Sequence, residues 1–204
     1  MNPLKSIVGT IVSGIVLAVV IVLVTRGNHM VAGISAQAVI IWLHVLAGIT
    51  WIGLLYYFNF VQVPALAEAT ADDGGPGPAG ISKYVAPRAL LWFRWGALVT
   101  WLSGAAFLGH KGQLGNAFML GLNTDPINQY AMTIGVGAWL GTIMLLNVWG
   151  PIWRSQKKIL GMVEASPDEI ARAKNVALMA SRANTLMSIP MVMSMVGAGH
   201  GWFM

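Results

Sequence analysis

There is no cysteine among the 204 residues. Disulfides, iron–sulfur clusters, thiolate zinc sites and covalently attached c-type haem are thereby excluded. Any metal or cofactor on this chain must be held by histidine, methionine, carboxylates or backbone. Charge is nearly as scarce: 12 Lys+Arg and 7 Asp+Glu make up 9% of the residues, against about a quarter in soluble domains. With 56% hydrophobic residues, the chain is neither disordered nor a soluble nucleic-acid binder, and its five-charge positive excess rides on an apolar sequence. All seven acids (Glu68, Asp72, Asp73, Asp125, Glu164, Asp168 and Glu169) fall in loops or at the edges of apolar runs. Pumps and cation transporters place carboxylates within their spans, so this absence counts against both.

What is present is length of apolar chain. A bilayer crossing takes about 20 residues at 1.5 Å each, and five runs qualify: roughly 6–25, 37–60, 87–109, 128–153 and 176–202. The first is too long for a signal-peptide core and is read as a retained span. If the N-terminus is cytoplasmic, Lys5, Lys83, Arg88, Arg94, Arg154, Lys157, Lys158, Arg172, Lys174 and Arg182 fall on the inner side. Only Arg26 and Lys111 fall outside. That asymmetry predicts an all-α integral membrane protein of five transmembrane helices, N-terminus cytoplasmic and C-terminus periplasmic. Residues 1–30 form an isolated first helix, with Gly9 and Ser13 as a small-residue docking face. Residues 31–204 form a four-helix membrane domain. The 71–80 stretch reads as a polar loop, and Ser166-Pro167-Asp168-Glu169 as a capping box opening a helix that runs into the last span. No internal repeat is evident.

The chemistry-bearing residues are few. His29, His44, His110 and His200 are the only histidines, and all four fall toward the outer side in this orientation. His44 lies inside the second span, followed one turn later by Gly48 and another turn on by Trp51. A small residue beside a histidine leaves room for a flat macrocycle, which the indole would border. His200 stands among Gly197, Gly199 and Gly201. Neutral imidazoles from two helices suffice as axial ligands for a non-covalent b-type haem; the alternative is interhelical hydrogen bonding with glycines serving close packing. His110 and His29 read as interfacial polar residues, with His110 also a possible cofactor contact. Arg94 either binds an anionic group such as a cofactor propionate, or reaches the interface or bonds Asn59, Asn147 or Asn184. Met187, Met191 and Met195 read as packing rather than as a copper(I) site.

From the second span onward, ordered blocks resemble a known family. They are His44-Val45-Leu46-Ala47-Gly48-Ile49-Thr50-Trp51-Ile52-Gly53 with Tyr57-Phe58-Asn59-Phe60-Val61-Gln62, then Phe93-Arg94-Trp95-Gly96-Ala97, then Asn147-Val148-Trp149-Gly150-Pro151-Ile152-Trp153. The last is Arg182-Ala183-Asn184-Thr185 with Ser188-Ile189-Pro190-Met191 and His200. Over residues 37–204 the chain is similar to the membrane domain of the bacterial cytochrome c-fused urate oxidases, the membrane urate hydroxylases. The resemblance implies a multi-span domain of the bacterial inner (plasma) membrane that passes electrons from a substrate to a cytochrome, with His44 and His200 at the family's histidine positions. Family members carry more spans and a c-type cytochrome with Cys-x-x-Cys-His, which a cysteine-free chain lacks.

The expectation is therefore a membrane protein holding haem b, with His44 and His200 as iron ligands and Gly48, Trp51, His110 and Arg94 around the cofactor. It would act as an electron-transfer subunit or small membrane oxidoreductase beside a c-type cytochrome or larger membrane complex, in contact with lipid and not nucleic acid. Two alternatives stand beside it. One is a cofactor-free accessory subunit of a larger complex; the other is a urate oxidase component working with a separate cytochrome.

Overall fold

The structure, a computed structural model, describes residues 2–26 and 35–201. His29 and Trp202 lie outside the described residues. The chain divides into two compact units, Met1–Ala36 and Gln37–Met204, a few residues beyond the division read from the sequence. Among the described residues every regular element is helical.

The first unit is built on α1 (Ile7–Arg26). Its side chains are apolar on all sides, and none of its most apolar stretch is buried within the protein. A helix of this length without a polar face is compatible with crossing a membrane. Its two threonine hydroxyls are satisfied locally: Thr10 donates to the Ser6 carbonyl and Thr25 to the Ile21 carbonyl, as an apolar medium requires. Gly9 is backed by the chain's own Pro3 carbonyl, 2.5 Å from where a Cβ would sit, so its smallness serves the helix's own first turn.

The second unit contains α2 (Ala36–Tyr57), α3 (Val63–Ala71), α4 (Ala86–His110), α5 (Leu114–Phe118), α6 (Gln129–Asn147), α7 (Trp153–Ile159) and α8 (Pro167–His200). Three π-helical turns interrupt it, at Phe58–Gln62, Ile81–Val85 and Val148–Ile152. Each accompanies a proline: Pro64 and Pro87 just after the first two, Pro151 within the third. Proline has no N–H to donate and clashes with the carbonyl one turn back, and a wide turn relieves both problems without ending the helix.

The architecture is duplicated. One constant spacing separates Trp51 from Trp139, Gly53 from Gly141, Asn59 from Asn147, Ala89 from Ala177, Leu90 from Leu178, Arg94 from Arg182 and Leu98 from Leu186. Each half runs as a long helix, a π turn, a short helix, a polar connection and another long helix. The expectation of no internal repeat is corrected here. Most matched positions exchange one apolar residue for another, which leaves periodicity intact while erasing identity.

Four helical stretches are long and apolar enough to cross a membrane: Ile7–Thr25, Ala36–Ala71, Gln129–Ile159 and Pro167–His200. The helix α4, 25 residues long and so about 37 Å at helical rise, has the length but carries Arg88 and Arg94 and is not among them. The core joins both halves. Trp51, Leu55 and Phe58 pack with Leu90, Phe93 and Ala97, and with Met144, Val148, Ile152 and Met191. A smaller cluster of Leu108, Ala117, Ile134 and Ala198 closes the other end. Close approach between α2 and α4 centres on Gly96, whose missing Cβ would lie 3.4 Å from the Trp51 nitrogen.

A polar ladder on α8 runs through this apolar core. Tyr56 Oη lies 3.0 Å from Ser188 Oγ, Asn59 donates to Ser181 Oγ at 2.8 Å, and Asn147 donates to Asn184 Oδ1 at 3.0 Å. Asn184 also donates to the Met144 carbonyl at 3.0 Å and is fully buried. Removing one amide strands its partner away from water, a larger loss than the bond itself. Asn184→Ala is therefore expected to lower stability by about 1–2 kcal/mol, read as a depressed thermal midpoint in detergent; an unchanged midpoint would show the ladder to be dispensable.

The start of α8 follows the capping box. Glu169 N–H donates to Ser166 Oγ, Ser166 N–H donates to Glu169 Oε2, and Lys158 reaches Glu169 Oε1 at 2.9 Å. This turn lies well before the apolar part of α8. The Ser166 backbone N–H, then Lys158, holds the Glu169 carboxyl down at about 2 from 4.5. A depressed carboxyl stabilises the fold above its ordinary pKa, and that contribution disappears as pH falls through the folded value. The difference in thermal midpoint between wild type and Glu169→Gln should be steady above pH 4.5 and shrink toward pH 2. A pH-independent difference would remove the carboxylate from the cap.

Candidate functional site

His44 is carried on α2 and turned onto α4. Its Nδ1 lies 2.8 Å from the Thr100 carbonyl oxygen. A carbonyl only accepts, so Nδ1 carries the proton. The Nε2 lone pair then has no hydrogen-bond partner among the described residues. Ser103 Oγ, 3.4 Å from Nδ1, already donates toward the Val99 and Thr100 carbonyls and helps to fence the ring. Gly104 makes the placement possible: a Cβ there would stand 2.9 Å from His44 Cε1 and 3.1 Å from Nδ1. The Cε1–Nδ1 edge of the imidazole therefore fills a gap in α4. A ring fixed by an Nδ1–H···O=C bond and offering an unprotonated Nε2 is the arrangement in which histidine ligates metals.

The remaining sequence candidates distribute as follows. Gly48 faces Thr100: a Cβ there would make an ordinary contact with Thr100 Cγ2 at 3.8 Å. Trp51 is 1% exposed and belongs to the apolar core, so its indole packs between helices rather than edging an open cleft. His200, at the exposed end of α8, repeats the His44 pattern, with Nδ1 2.9 Å from the Val196 carbonyl and Nε2 left over. His110 is exposed in the last turn of α4. Among the described residues no hydrogen bond or ring contact joins these histidines to one another.

Arg94 belongs to another neighbourhood. About 15 Å of helix separates it from Gly104. Its guanidinium lies 3.8 Å from the Trp153 ring centroid and 6.0 Å from that of Trp149, and Trp149 meets Trp95 edge to face. The asparagines considered as its partners bond instead to Ser181, to Asn184 and to backbone. Stacking lets a guanidinium enter an apolar layer while its edge N–H groups stay available. Met191 and Met195 fill the spaces beside Gly141 and Gly137, which is packing, as expected.

Sequence reading missed the α8 ladder of Ser181, Asn184 and Ser188, together with Gly104 as the floor of the histidine site. The ladder had a signal in the equivalent positions of Asn59 and Asn147. Gly104 had none, because its role depends on a contact with a helix distant in sequence.

A family described as urate oxidase N-terminal matches residues 33–120 and again 118–204, dividing the chain where the two helix–turn–helix halves divide. No curated protein and no solved structure matches the chain.

Proposed function

Since the chain belongs to the urate oxidase N-terminal family, we propose that it is an integral-membrane electron-transfer protein of the bacterial inner membrane that holds a b-type haem through His44. The observation that supports this most is the bond from His44 Nδ1–H to the Thr100 carbonyl over Gly104, because a proton on Nδ1 leaves the Nε2 lone pair as a donor for iron. His200, on a different helix and with its Nδ1 likewise on a backbone carbonyl, is the second ligand in this reading. The donor set fits: two neutral imidazoles, no cysteine, and Gly48 beside the first. When bound, the haem supplies reversible one-electron chemistry.

The residues of the chain do the rest. Thr100 and Ser103 orient the imidazole and fix which ring nitrogen carries the proton, while the apolar core around Trp51 and Phe93 keeps water out of the bundle. In this account α4 also crosses, which brings the spans to five, and the cation distribution favours an N-terminus inside and a C-terminus in the periplasm. That puts both histidines on the periplasmic half, where a soluble c-type cytochrome would collect electrons. Urate, named in the family's description, is the donor to test first. Pyridine haemochrome analysis of the purified protein should return b-type haem. Membranes containing the chain should reduce added cytochrome c when urate is supplied. Protein without haem would overturn the reading, and haem without urate-dependent reduction would confine it to another donor.

A further inference from the structure

At the Arg154 end of the second unit, α7 and α8 border an open cavity of about 240 Å³. It is lined by Arg154, Ser155 and Lys158 from α7 and by Glu169, Arg172 and Val176 from α8. Three cations face one carboxylate, and that carboxylate is occupied by Lys158 and the Ser166 N–H. Arg154 and Arg172 have no ion pair or hydrogen bond among the described residues. Ser155, 8% exposed, likewise has no hydrogen-bond partner for its hydroxyl there. The groups left over are all donors, two of them guanidiniums whose planar forks match phosphoryl oxygens. The cavity also has an apolar side. Val176 is 45% exposed on its wall, and Met179, about one turn further along α8, is 57% exposed. A soluble anion has no use for that surface, whereas acyl chains below a headgroup do.

We propose that the α7–α8 cavity binds the phosphate of an anionic phospholipid, with Arg154, Arg172 and the Ser155 hydroxyl as donors and the acyl chains lying along Val176 and Met179. Removing two charge-assisted contacts should weaken binding by about tenfold or more.

The test uses delipidated full-length protein in an uncharged detergent, titrated with dioleoylphosphatidylglycerol, dioleoylphosphatidylcholine or glycerol 3-phosphate. Binding is read by thermal midpoint and by lipid retained in native mass spectrometry. Wild type should prefer phosphatidylglycerol to both other probes. R154Q/R172Q should bind it about tenfold more weakly, R172Q alone should fall between, and K174Q, outside the cavity, should match wild type. Equal binding by wild type and R154Q/R172Q, or by phosphatidylglycerol and phosphatidylcholine, would overturn the proposal. Glycerol 3-phosphate binding as tightly as the lipid would overturn the lipid assignment. If the double variant does not fold, R172Q decides by the same criteria.

Discussion

Gly135→Val is expected to prevent the second unit from reaching its native packing. Gly135 lies on α6 directly against α5. A Cβ there would fall on the Ala117 carbonyl oxygen, 3.0 Å from its carbon and 3.1 Å from Leu120 Cδ2. The first two obstacles are backbone, which cannot rotate aside as a side chain can. The α5 segment is also pinned at both ends, by Gln113 N–H on the Leu108 carbonyl at 2.8 Å and Gly121 N–H on the Asn116 carbonyl at 2.8 Å. Relief therefore means separating α5 from α6 and opening the Leu108–Ala117–Ile134–Ala198 cluster. The cost is about 3 kcal/mol or more, at the upper end for overpacked cores. The yield of monodisperse protein and its thermal midpoint in detergent report it. Gly109→Ala, where nothing lies within 4 Å of the new Cβ, should behave as wild type. A Gly135→Val protein as stable as that control would mean that α5 does not dock as described.

If His44 holds haem as proposed, Gly104→Leu is expected to remove most of it although His44 itself is unchanged in sequence. The new side chain would occupy the space taken by the His44 ring, which begins 2.9 Å from the Cβ position. Pushed aside, Nδ1 loses the Thr100 carbonyl, and with it both the ring's orientation and its tautomer. Loss of such an outer partner typically weakens metal binding by about 10–100-fold, and displacement of the ring adds to it. Gly53→Ala, facing open space on the same helix as His44, provides the comparison. Haem content in Gly104→Leu equal to that of Gly53→Ala would break the link between this floor and the cofactor. The same substitution also tests whether fold and ligand can be separated, since Gly104 lies at the edge of the main core and not within it.

Local features of the fold were legible in the sequence, and long-range ones were not. Apolar runs announced α1, α2, α6 and α8, because hydropathy is a property of each segment alone. The Ser166–Glu169 cap was readable for the same reason, both partners lying within one turn. Which face of α2 meets α4 was not readable: His44 is placed by Gly104 and Thr100, far along the chain. Trp51 is likewise placed by long-range packing. It follows His44 by two turns, yet close packing at Gly96 draws it into the core. Arg94 was assigned hydrogen-bond partners among asparagines that the α8 ladder and the backbone had already claimed, and stacking on Trp153 replaced them. The duplication escaped notice because its two halves preserve shape-determining positions, such as Asn59 with Asn147, amid freely exchanged apolar residues.

The most direct measurement is the reduced-minus-oxidised absorption spectrum of purified His44→Ala, recorded with and without added imidazole, beside wild type. Ligation by Nε2 predicts a b-type α-band in wild type, its loss in the variant, and its partial return when free imidazole fills the vacated space. A variant spectrum identical to wild type, at equal haem content, would contradict the assignment of His44 to the iron.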